Sequence, residues 1–557
     1  MFIALFLCLT SLLASSFAAS SPRYEYLDGC KGYDCLEKYV NQPDPAYNWK
    51  DTGHRITGKA GLLAKTNWTG YVLNFTSQTW LTPADSDRSV WQHIMVVVVP
   101  DNFDPTNKQT KDFGSMYMTG GCSVDAGHLP GANDEDLLVS AYLATHTGTI
   151  AATLFQIPAC PITFVTDPIQ KARREDAIIA FTWQHFVNNP THPEWLLRMP
   201  MTKAGVRGLD TLAAFTKTLY PNSNIDSFAV AGASKRGWNT WTVSAVDKRV
   251  KAAIPIVMDI WNMVHNLHHH YKAYGGWTFA FKDYWELDFT KKLDDPNTEV
   301  MAHIIDPTNY PKTRADGSRI LAMPKLVINS CMDEFLLPDD TTFWWNEMQG
   351  DYNNHWLIIP NAEHSEATGV LELLPATATF IRGVVQGIDA TARPVFNWTV
   401  ANTTGEITVT QISKHIPIQV SMWHAKTATN HRRDFRVING QNGTECSAEG
   451  GIFVKSKGIC ANLKSFWKKT TLKQNADGTW TASQELDASG KWTAFFVHME
   501  YEGPKNVGDA VAMDGRRRLD WPISEDGRYQ ATTTVSIIPQ TFPYADCHGD
   551  GCLGVLV

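Results

Sequence analysis

The stretch Ser227-Phe228-Ala229-Val230-Ala231-Gly232-Ala233-Ser234-Lys235-Arg236-Gly237-Trp238 decides the fold. Phe228 to Gly232 is an apolar run that reads as a buried strand, Ser234 sits in a small-residue turn, and a helix-like segment follows. This layout predicts a sharp strand-to-helix elbow that lifts a serine hydroxyl above a parallel sheet. The free amides of the helix's first turn would lie beside that hydroxyl, ready to hold negative charge. The common pattern for such an elbow is G-x-S-x-G, but here Arg236 stands in the last place and the glycine comes one residue later, at Gly237. A serine between glycines also makes an ordinary turn, so the rest of the chain has to decide.

Working outward, apolar strand candidates run from Tyr71 to Phe75, Ile94 to Val99, Thr149 to Phe155, Ala252 to Val257, Leu326 to Asn329 and Trp356 to Ile359. Helical stretches from Arg174 to Asn188 and Gly208 to Leu219 separate several of them. Strands alternating with helices predict a mostly parallel α/β sheet. Between Val257 and Lys325 lies an insertion dense in aromatics, among them Trp261, Tyr271, Trp277, Phe281, Tyr284 and Phe289. It reads as a cap, about 258–323, beside the carboxyl edge where such sheets keep their ligand sites, or else as ordinary core packing. Within it His268-His269-His270 reads as a solvated patch, because consecutive residues point in different directions. After about residue 388 short alternating segments broken by Asn, Gly and Asp turns predict a second, all-β domain over 389–557, a sandwich. The first domain would span 20–388.

The N-terminus is apolar to about Leu13 and then small through Ala18 and Ala19, which predicts a secretory leader over residues 1–19. No other segment is a candidate membrane span. Five N-x-[ST] sequons, at Asn67, Asn74, Asn397, Asn402 and Asn442, fit a secreted glycoprotein. Of ten cysteines, Cys8 falls in the leader, and sequence neighbours suggest the disulfides Cys30–Cys35, Cys446–Cys460 and Cys547–Cys552. Cys122, Cys160 and Cys331 remain, of which at least one must be free or pair between chains. No cysteine spacing suggests zinc, and no metal or cofactor is expected. The net charge of −8 offers no electrostatic case for nucleic acid.

A serine hydroxyl needs a base, and the base needs an orienting acid, in the chain order Ser, acid, His on this kind of sheet. Past the strand ending at Asn329 come Asp333 and Glu334, both placed to be the acid, with Asp333 better spaced. His364 follows the strand ending at Ile359, in the polar loop Asn361-Ala362-Glu363-His364-Ser365, where the base belongs. The oxyanion amides would come from Lys235 and from Gly121 or Cys122, in the glycine-bearing loop Tyr117-Met118-Thr119-Gly120-Gly121-Cys122 after the third strand. Lys235 and Arg236 are disfavoured charges at a helix N-terminus, so they read either as surface charge on the first helical turn or as cations for the oxyanion or a substrate carboxylate, the substrate-binding one being Arg236. Trp238 and Trp261 are expected beside it as substrate-binding aromatics. The acidic run Asp134-Glu135-Asp136 is a candidate for a peptide N-terminus, and Trp423 and Trp467 are candidates for carbohydrate binding by the β domain.

Several motifs resemble the PhoPQ-activated pathogenicity-related family, which includes the autocrine proliferation repressors. They are Arg174-Glu175-Asp176-Ala177 with Thr182-Trp183, Pro200-Met201-Thr202-Lys203, the Gly232–Trp238 elbow, Asp333-Glu334-Phe335 with Pro338-Asp339, Asn361–Ser365, and Arg433-Asp434-Phe435-Arg436. The resemblance runs from about residue 30 to 540. It implies an α/β-hydrolase fold followed by a β-sandwich, and makes G-x-S-x-R-G a family trait. The resulting expectation is a secreted serine hydrolase acting on a peptide or small ester, peptidase before esterase. The alternative is a growth-regulating ligand for a cell-surface receptor on a hydrolase scaffold.

Overall fold

The computed structural model describes residues 22–59, 66–122, 129–259, 261–348, 350–441, 452–454, 459–504 and 527–557. The proposed leader, Asn442 and Cys446 lie outside the described residues. Nine strands form one sheet: β1 (Asn48–Lys59), β2 (Asn67–Thr79), β3 (Val90–Pro100), β4 (Phe113–Met118), β5 (Ile150–Leu154), β6 (Ser227–Ala233), β7 (Val250–Ile256), β8 (Lys325–Ser330) and β9 (Asn354–Ile359). Their spatial order is β1-β2-β3-β5-β4-β6-β7-β8-β9. Pairing is antiparallel from β1 through β3 to β5 and parallel from β5 onward. The elbow strand β6 is therefore central, flanked by β4 and β7.

Unbroken apolar strands make sense in a sheet covered on both faces. In β6, Phe228 and Val230 enter the core on one face, shared with the helices Arg198–Leu219 and Lys235–Val246. Ala229 and Ala231 point to the other face, covered by the helices Glu135–Thr147 and Val370–Val385. This strand order, with the serine turn at the carboxyl end of β6, is an α/β-hydrolase fold. The insertion between β7 and β8 carries the helices Met263–Tyr274, Lys282–Glu286 and Pro296–Ile305 and stands over that edge as a cap.

C-terminal to residue 388 the chain makes antiparallel sheets. One joins Phe396–Val400, Ile407–Gln411 and Trp480–Ala482, and another centres on Gln419–Lys426 and Thr493–Glu502. Ile407, Val409 and Trp480 of the first pack with Met422, Phe495 and Val497 of the second in one apolar core, as a sandwich requires. Trp467 packs on Phe496 in the main core and is 3% exposed, so its expected carbohydrate role is corrected to packing. The histidine run is corrected too. His269 and His270 are buried against Phe343 and Trp277, and His268 is the member of the three left partly accessible.

Disulfides join Cys30 to Cys35 and Cys547 to Cys552. The odd set resolves as Cys122–Cys160, with Cys331 buried as a free thiol. Cys460 is disulfide-bonded. Asn67, Asn74, Asn397 and Asn402 are all exposed, as glycosylation would require. Among the described residues no helix is long and apolar enough to cross a membrane.

Candidate active site

The elbow is built by close backbone approach. Ser234 holds φ 56°, ψ −123°, a strained conformation for a side-chain-bearing residue, and its N–H donates to the Ile256 carbonyl at 2.9 Å. A Cβ on Gly237 would stand 2.6 Å from the Ile256 oxygen, and one on Gly232 would stand 2.7 Å from the Arg236 carbonyl oxygen. Both glycines are thus required, and the displaced glycine of the motif is the one that lets the helix lie against β7.

The three residues expected from chain order meet at this edge. His364 Nε2 lies 2.7 Å from Ser234 Oγ, and His364 Nδ1 lies 2.7 Å from Asp333 Oδ2. Asp333 is fixed from its other oxygen by the N–H groups of Phe335 (2.6 Å) and Leu336 (3.1 Å). Glu334, the alternative acid, instead accepts the backbone N–H of His364 at 3.1 Å. Burial works against a charged imidazole, but Asp333 and Glu334 outweigh it and raise the His364 pKa above its ordinary value. Burial, reinforced by the Asp333 charge, pushes Glu334 up to about 7. A hydroxyl, an imidazole and a carboxylate in one hydrogen-bonded line can generate a nucleophile, shuttle its proton and hold the base's tautomer.

Lys235 opens the helix behind Ser234, so its N–H belongs to the first turn, where no intrahelical partner exists. Tyr117 and Met118 close β4 itself, which leaves Thr119 to Cys122 as the loop, with Gly121 at φ +90°. Cys160 bridges that loop to the segment after β5. Arg236 does not face substrate. Its Nε donates to the Ile157 carbonyl, its Nη2 donates to Glu175 Oε1 at 2.6 Å, and its guanidinium lies where a Cβ on Gly120 would be. The expected substrate-side cation is corrected to a brace for the loop. Glu175 and Asp176, quoted above only as family motif, are the partners that sequence reasoning left without a role: Lys235 Nζ donates to Asp176 at 2.7 Å. The signal was there, since two carboxylates and two cations in nearby motifs can neutralise one another.

A narrow cavity of about 50 Å³ opens at Ser234 and His364. Trp183, Trp238, Trp277, Phe281, Tyr284 and Phe335 contribute to its wall, so Trp277, Phe281 and Tyr284 of the aromatic-rich cap are at the site. Trp238 lines it as expected. Trp261 does not: it is buried between Trp241 and Trp344 and is not part of the cavity wall. Asp134 caps the helix Glu135–Thr147, accepting the Leu137 N–H at 2.9 Å, so the acidic run is a helix start rather than a binding loop.

The family pattern described as PhoPQ-activated pathogenicity-related protein matches residues 36–436. The chain belongs to that family. In this PhoPQ-related chain the matched span takes in the elbow, the acid turn, the histidine loop and the Arg433–Arg436 motif. The autocrine proliferation repressor protein A of Dictyostelium discoideum is 33% identical over 560 residues, covering 99% of this chain and 97% of its own. Among solved structures, acetyl xylan esterase 1 from Thermoanaerobacterium sp. JW/SL YS485 is 16% identical with a TM-score of 0.37, covering 63% of this chain and 95% of its own. An acetyl xylan esterase from Paenibacillus sp. R4 is 14% identical with a TM-score of 0.38, covering 62% and 92%. The fold assignment of this PhoPQ-related protein rests on its strand order and elbow, not on these likenesses.

Proposed function

We propose that this protein is a secreted serine hydrolase that cleaves an amide or ester bond whose acyl side carries an apolar group, peptides before simple esters. The observation that carries the reading is the Ser234–His364–Asp333 line at the mouth of an apolar cavity. Ser234 Oγ attacks the carbonyl carbon as His364 Nε2 takes its proton. The oxyanion forms against the amides of Lys235 and of Gly121 or Cys122. His364 then protonates the departing amine or alcohol, and a water releases the acyl group by the same steps in reverse. Asp176 and Lys235 neutralise each other at the cavity's edge, so the walls suit an uncharged side chain such as Phe or Leu. A fluorophosphonate probe at neutral pH tests this. Wild type should label, Ser234→Ala and His364→Ala should not, and peptides with an apolar residue before the scissile bond should turn over. Folded wild type without labelling overturns the hydrolase reading, and turnover confined to esters overturns the peptide preference.

A second reading is favoured by one finding, the relative named for autocrine repression of proliferation and matched along nearly the whole chain. Here the secreted protein would restrain growth of the cells that make it through a surface receptor. Adding purified Ser234→Ala protein to such cells separates the two. Full repression by the variant makes the protein a ligand, and its loss makes repression a consequence of catalysis.

A further inference from the structure

Away from the cavity, a cluster of side chains joins three parts of the chain that are far apart in sequence. His268 comes from the cap helix Met263–Tyr274, Asp294 from the cap loop after Leu293, and His548 from the C-terminal tail. His268 Nε2 is 3.2 Å from Asp294 Oδ1, and His548 Nδ1 is 3.1 Å from Asp294 Oδ2. Taking one donor atom from each residue, the three lie within 4.8 Å of one another. A tetrahedral zinc ion, with ligands at about 2.0–2.1 Å, needs donor-to-donor edges of roughly 3.3 Å, and each imidazole nitrogen stands near that distance from one of the two Asp294 oxygens, through either of which the carboxylate can bind. A further carboxylate completes the pattern: Asp546 Oδ1 lies 2.8 Å from His268 Nδ1, the nitrogen turned away from the cluster. Metal-binding histidines are ordinarily held this way, since a carboxylate on the far nitrogen fixes the tautomer and leaves the other nitrogen free to coordinate. Two other groupings of candidate ligands include cysteines already in disulfides, Cys547–Cys552 and Cys122–Cys160, and so cannot bind as thiolates.

We propose that His268, Asp294 and His548, oriented by Asp546, bind one divalent ion of the zinc class and fasten the C-terminal tail to the cap. The tail is already laid there: Trp277 Nε1 donates to the Cys552 carbonyl at 2.8 Å, the Trp277 N–H donates to the Val555 carbonyl at 2.8 Å, and the Val557 N–H donates to the Trp277 carbonyl at 2.7 Å. Leu267 and Leu293, each next in sequence to a ligand, line the cavity, so the ion would stiffen one wall of it. Coordination leaves an open position for water or an outside ligand.

Calorimetric titration of the chelator-dialysed full chain with zinc sulfate tests this, supported by the visible spectrum of the cobalt-loaded protein. One saturable ion per chain is expected, with a tetrahedral cobalt spectrum and slowed hydrogen exchange over residues 546–557. His548→Ala, an exposed change on the tail whose ring touches that of His268, itself a ligand, should weaken binding at least 100-fold, and so should His268→Ala. Asp546→Asn should weaken it about 10- to 100-fold. The absence of saturable binding overturns the site, as does zinc affinity unchanged in His548→Ala with an unaltered near-ultraviolet spectrum.

Discussion

At Ser234 the backbone conformation and two glycines decide whether a hydroxyl can be presented at all. Gly237→Ala is expected to abolish probe labelling and to lower stability by about 2–3 kcal/mol, because its Cβ would meet the Ile256 carbonyl and Met258 Cβ with no flexible group to yield. Thermal unfolding and labelling rate check both. The base has its own signature in pH. Neutral imidazole is the working form, and His364 titrates above its ordinary value, so kcat/KM should fall with acid through a midpoint above about 6.5. Asp333→Asn should cut kcat by about 10⁴ through the wrong tautomer and move that midpoint down. The sign for stability is the reverse of that for activity. A raised folded-state pKa means the charged His364 stabilises the fold below its unfolded pKa, and this contribution is lost as pH rises through the folded one. Ser234, Asp333 and His364 were legible because each follows a strand end in a fixed chain order. Arg236 and Trp261 were not, since nothing in a sequence says whether a side chain near a site points into it.

Elements were legible where burial imposes apolar runs. β3 and β6 to β9 were, because both faces of those strands are covered, and so was the helix Asp176–Asn188. β1 escaped because it is a largely exposed edge strand with a bulge between Asp51 and Arg55, paired on one side only. β4 escaped because Phe113-Gly114-Ser115-Met116-Tyr117-Met118 lacks β-branched residues although all six are buried. The start of the helix Glu135–Thr147 was misread from its acidic first turn, which favours a helix N-terminus and imitates a binding loop. The cap insertion was legible by composition alone, as aromatics gathered between two strands. Its wall makes a prediction of its own. Leu293→Trp should narrow the cavity and shift the optimum in a series of p-nitrophenyl esters toward shorter acyl chains, with unfolding temperature little changed.

Taken as one molecule, the β-sandwich does more than follow the hydrolase fold. Val437 N–H donates to the Met332 carbonyl, next to the acid, and Arg433 pairs with Asp339 in the same turn. The Asn361 side chain exchanges hydrogen bonds with the Trp467 backbone beneath the histidine loop. Arg433→Ala would leave Asp339 buried without its cation and should cost about 3–5 kcal/mol, with labelling of Ser234 lost in proportion. Measured unfolding in denaturant checks this. Nothing in the sequence announced the dependence, because it runs through residues more than sixty positions from their partners. The Cys122–Cys160 bridge reaches further still. It closes a loop across 38 positions and pins the segment after β4 from which we propose an oxyanion amide comes. Mild thiol treatment should therefore silence labelling before the fold melts. A chain folded where thiols stay reduced would lack that pin, and its labelling should appear only once the bridge is oxidised.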